Sequence, residues 1–165
     1  MTVNAFWDWS LSYYAQDSIQ QHLLNLQRVG DLVILEALFA CWLATCGVRL
    51  SSKASEDMSD ATRSWLNEVV LPLRGTREQW RCNPKLQSQR AHLLQLEVEA
   101  ERHLAELMWA SVALELDLQE RSLRTEGFEE IGVIMSENLM KLSVFRNGEY
   151  APERSQLVAL LLQAT

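Results

Sequence analysis

Residues 84–123, PKLQSQRAHLLQLEVEAERHLAELMWASVALELDLQERSL, decide how the rest of the chain is read. Leu93, Leu96, Ala100, Leu104, Leu107, Ser111, Leu114 and Leu118 recur at about 3.6 residues, the period of a straight α-helix and not of a heptad seam. Pro84 suits the first turn, where its missing N–H costs nothing, and Gly127 lies just past the other end. The spacing therefore predicts one helix over about 84–123. At ~1.5 Å per residue it runs roughly 55–60 Å, longer than a compact domain of this size is wide. Its far end needs cover, from the last part of the chain or from a second copy.

Leucine occurs 28 times, and valine and isoleucine together 15 times. Unbranched leucine favours helices and β-branched residues favour strands, and no segment alternates polar with apolar residues over strand length. The expected fold is all-α, a helical bundle. A first helix is expected over about 5–15 with Asn4 as its cap. A second starts after Asp17 or Ser18, carries Ile19, Leu23, Leu26 and Val29, and stops at Gly30 in the left-handed C-terminal position. Asp31 is expected to cap a third helix, about 31–47, which is apolar on nearly every side and so forms the buried centre. Residues 51–57 read as a polar loop, with Ser59 opening a fourth helix that Pro72 kinks or breaks near Leu71. Helices over about 128–145 and 152–164, separated by an Asn147-Gly148 turn, close the chain.

The 165 residues are 48% hydrophobic and 22% charged, with a formal net charge of −7, which describes a single soluble domain over 1–165 and excludes collagen-like and low-complexity classes. An acidic balance disfavours nucleic acid and anionic membranes as general partners. The most apolar run, Leu32–Val48, contains Glu36 and is shorter than the ~20 residues a bilayer span needs, so no membrane role is expected. The opening MTVNAFWDWS lacks the layout of a secretory signal, which makes a cytoplasmic location the expectation. Cys41, Cys46 and Cys82 form no CxxC or CxxH pair and read as reduced structural thiols, and no metal or cofactor is expected.

The opening Phe6, Trp7, Trp9, Ser10, Leu11, Tyr14 and Ala15, of the form FWxxSLxxYA, resembles the start of a bacterial family of small cytoplasmic proteins classed as a domain of unknown function. The similarity continues in Leu24-x-Leu26-Gln27 before Gly30-Asp31, and in Leu38-Phe39-x-x-Trp42-Leu43. It goes on in Trp65 with Val69-Val70-x-Pro72-Leu73-Arg74, and in Leu96-Glu97-x-Glu99-Ala100-Glu101-Arg102. It spans about 6–104 and implies an all-helical fold with no assigned activity or catalytic residue. Residues from about 110 onward have no counterpart in it and read as a C-terminal elaboration.

Five aromatics crowd positions 6–14. Phe6, Trp9 and Tyr13 share one helical face and Trp7 and Tyr14 another, so one core face does not easily hold them all. Trp7, Trp9 and Tyr14 are candidate contacts against the alternative of plain core packing. Arg74, Arg77, Arg81 and Lys85 fall at steps of three, four and four, a cationic stripe on a continuous helix. It fits oxyanions, or alternatively the acidic long helix of the same chain or of a neighbouring one. Glu97, Glu99, Glu101, His103 and Glu106 lack the Glu-x-x-His spacing of a di-iron bundle and read as a solvated charged face. Glu36, among Ile34, Leu35, Ala37 and Leu38, is a candidate perturbed acid, its alternative being an edge residue that reaches water. No nucleophile elbow, phosphate loop or catalytic residue is identified. The expected function is a non-enzymatic helical interaction protein that partners another protein or itself. The alternatives are a phosphate or RNA-backbone binder built on Arg74, Arg77 and Arg81, and a small helical enzyme centred on Glu36.

Overall fold

The computed structural model describes residues 1–122 and 131–164, all of them helical or connecting, with no strand among them. Eight α-helices are described: α1 Val3–Tyr14, α2 Asp17–Gly30, α3 Ile34–Thr45, α4 Ser52–Trp65, α5 Leu71–Gln79, α6 Gln87–Ser122, α7 Ile131–Leu139 and α8 Ala151–Gln163. The side chains of Leu114 and Leu118, and residues 123–130 with Gly127 and Phe128, lie outside the described residues.

The bundle is assembled around α3, in which every residue from Glu36 to Ala44 is buried. The order of packing follows from this: α1 and α7 lie against α3, α4 and α5 against α6, and α8 against α2 and α7. The aromatic centre is Phe6 of α1, Phe39 and Trp42 of α3 and Trp109 of α6. Phe6 meets Phe39 edge-on at 4.9 Å between ring centroids, and Trp42 lies 5.9 Å from Trp109. One apolar cluster takes in Leu104 and Met108 of α6 together with Met135, Leu139, Leu157 and Leu161 near the C-terminus.

Several local expectations are corrected. Thr2, not Asn4, caps α1 by accepting from the Ala5 N–H at 3.2 Å, and the Asn4 side chain instead accepts from Arg102 of α6. Asp31 does not cap α3. It takes the left-handed position after α2 at φ 54°, and α3 starts at Ile34. Gly30 is demanded by packing, since a Cβ there would stand 2.9 Å from the Tyr150 ring, whose hydroxyl donates to the Val29 carbonyl at 2.7 Å. The polar stretch is helical from Ser52, because Ser51 accepts from Ala54 N–H as the cap and Ala54, Ser55 and Met58 bury one thin face. Ahead of Pro72 the chain does not break: a π-helical turn, Leu66–Val70, carries α4 into α5, with the Leu71 N–H bonded to the Leu66 carbonyl just before the proline. A short 3-10 turn, Pro84–Leu86, precedes α6. In the long helix Ala100 and Leu104 are buried as expected, but Leu96 is 50% exposed and Glu97 only 4%. The helix expected to reach 145 ends at Leu139, and a second 3-10 turn over 143–148 follows.

Candidate functional site

From Leu71 to Leu96 no residue is buried. Here α5 folds back on the start of α6 as a two-helix arm, tied by Arg90 Nε donating to the Arg77 carbonyl at 3.3 Å. Without a core of its own, the arm is fixed at its root by charge. Arg74 donates to Glu97 at 2.8 Å and to Glu101 at 2.6 Å, and Arg77 donates to Glu97 at 2.5 Å and to Glu78 at 2.8 Å. Glu97 is thus held from both sides. Burial works to raise its carboxyl, but hydrogen bonds from Arg77 and Arg74 outweigh that and hold it below the usual carboxylate range. Burial dominates at Glu101 and raises it. Tyr14, half-buried nearby, has its phenol raised by burial and by the charge of Glu101.

The cationic stripe is therefore divided. Arg74 and Arg77 turn inward to the acidic face of α6, whereas Arg81 and Lys85 are exposed and make no ion pair among the described residues. The aromatic opening is divided too: Trp7 is buried at 7% exposure, and Trp9 and Tyr13 stack half-buried at 4.3 Å. His103 packs edge-on to Trp65 and pairs with Glu106, and no group of three His, Cys, Asp or Glu among the described residues is arranged for a metal.

Glu36 lies elsewhere, on the floor of a cleft of about 410 Å³ whose walls include Val33, Ser59, Thr62, Arg63, Leu66 and Arg146. The residue is 7% exposed, and its Oε1 accepts from Ser59 at 3.4 Å. No cation reaches ion-pair distance among the described residues. Burial pushes the carboxyl up to about 6, opposed by the hydroxyls of Ser59 and Thr62 and the charge of Arg63. Sequence reading singled out Glu36 but not Thr62, Arg63 or Arg146. The two arginines come from α4 and from the 3-10 turn after α7, and only the fold joins them.

A carboxyl raised in the folded state favours folding when protonated, so its stabilising effect is complete below about 4.5 and is lost as pH rises through about 6. Glu36→Gln removes the buried charge while keeping the shape. It should raise stability above pH 7 by about 1–2 kcal/mol, with the gain vanishing near pH 4.5. Thermal midpoints of both proteins across that range test this, and a pH-independent difference would contradict it.

Searches of the curated proteins and of the solved structures return no match. No helix among the described residues is long and apolar enough to cross a membrane. A family model described as "Protein of unknown function (DUF2390)" matches residues 5–108, from the aromatic opening through the arm and its ion-paired root to Met108. The chain belongs to that family.

Proposed function

We propose that the protein is a non-enzymatic helical interaction protein whose docking surface is the arm formed by α5 and the start of α6. The observation that carries this reading is one face of α6 that changes character along its length. Ala105, Trp109 and Val112 on that face pack into the core. Beyond a charged step at Glu101 and Arg102 the same face carries Val98, Leu94 and Ala91, where Leu94 is 48% exposed and Val98 40%. An apolar stripe that is core at one end and bare at the other fits an amphipathic helix laid along it, from a second copy or another protein. The phosphate-binding alternative loses its inner half, because Arg74 and Arg77 already hold glutamates.

Leu94→Glu with Val98→Glu tests the proposal, since exposed positions change folding stability by only about 0.5 kcal/mol. Sedimentation of the native chain is expected to show concentration-dependent association, or co-purification with a partner. The double variant should abolish that behaviour at unchanged thermal midpoint. Association that survives the double variant would overturn the arm as the docking surface.

A further inference from the structure

We propose that the cleft at Glu36 binds a small organic cation, its ammonium or guanidinium group on the Glu36 carboxylate and a short apolar chain along Val33 and Leu66. The rim is already neutral: Arg63 pairs with Asp60 at 2.6 Å and Arg146 with Glu56 at 3.3 Å. The floor is not, because Glu36 has no cation of its own among the described residues. A carboxylate taken out of water without a counter-charge is costly, and an ammonium supplied from outside offsets that cost. An anionic ligand would meet paired arginines above and an acid below.

The hydroxyls set the same preference. Thr62 donates its proton to the Met58 carbonyl at 2.9 Å, and Ser59 donates to Glu36. The Ser59 oxygen and the carboxylate therefore remain as acceptors, so the fitting ligand is rich in N–H donors. The volume of about 410 Å³ suits a small molecule, with Val33 and Leu66 as its apolar contacts. The charged groups facing Glu36 are Glu56, Asp60 and Arg63 of α4 and Arg146 of the 3-10 turn. Binding should follow the ionisation of Glu36 and weaken below about pH 6.

The test is calorimetry on the full chain with propylamine, butane-1,4-diamine and agmatine, against propionate and inorganic phosphate, at pH 7.5 and 5. At least one amine or guanidine is expected to bind saturably at millimolar concentration or below. It should bind at least about tenfold more weakly in Glu36→Gln and at pH 5, with neither anion binding. Thr62→Val, which keeps the shape and removes a hydroxyl that supports the ionised Glu36 carboxyl, should weaken binding several-fold and serves should Glu36→Gln fail to fold. No saturable cation binding up to about 10 mM, preference for propionate or phosphate, or affinity unchanged in both variants would overturn the proposal.

Discussion

Glu97→Ala should destabilise the protein by on the order of 3 kcal/mol at pH 7, which lowers the thermal midpoint by roughly 6–12 °C for a chain of this length. The Glu97 side chain is 5% exposed and those of Arg74 and Arg77 are 25% and 16% exposed, so its removal strands two part-buried guanidinium groups. Glu101 and Glu78 remain, but each holds only one of them. The cost arises mainly from unpaired charge. Replacing all three groups together, Arg74→Met, Arg77→Met and Glu97→Leu, should therefore recover most of the loss. Because the folded carboxyl of Glu97 is depressed, its contribution is present above the unfolded value and is lost as pH falls through the folded one. Native and Glu97→Ala proteins should converge in acid. Urea unfolding at pH 7 and pH 3.5 measures both effects, and a loss below about 1 kcal/mol at pH 7 would show that the arm is not anchored there.

Leucine abundance and the unbroken apolar run of α3 carried the all-α fold and its buried centre in plain sight, since helix period and burial are local properties. What lay hidden required knowledge of a neighbour. The register of α6 placed Leu96 inward because leucine is the better core residue. Only the presence of Arg74 and Arg77 opposite makes Glu97 the inward one. Their pairing with the acidic helix was one of two readings the sequence left open, since the stripe itself is local but its counter-charges come from another helix. The polar run at 51–57 concealed a helix because its buried face is made of Ala54, Ser55 and Met58, residues too small or too sparse to form a visible stripe. Gly30 looked like a helix end and is in addition a clearance for Tyr150, which lies 120 positions away in the chain.

Asn138→Ala is expected to be comparably damaging, about 3 kcal/mol or more, although the residue carries no charge. It is 1% exposed and stands on α7, where it satisfies three backbone groups of the segment around the end of α3. Its amide donates to the Ala40 carbonyl at 3.0 Å and to the Val48 carbonyl at 2.9 Å, and its Oδ1 accepts from the Leu50 N–H at 2.7 Å. Val48 and Leu50 are themselves buried, so water does not readily replace the missing amide. Alanine leaves the Val48 carbonyl and the Leu50 N–H unsatisfied, while the Ala40 carbonyl, inside α3, keeps its helical bond. Aspartate would keep the bond from Leu50 but set a carboxylate against two carbonyls, and should be at least as harmful. Leucine would fill the space and still orphan the Val48 and Leu50 groups, so volume alone does not rescue the site. Chemical unfolding of the three variants, with amide exchange at Leu50 as a local probe, distinguishes this clamp from simple packing. If Asn138→Leu retained native stability and Leu50 stayed protected, the hydrogen bonds would be incidental. If all three variants fall together, α7 is what closes the turn after α3, and the segment beyond residue 108 is part of the fold.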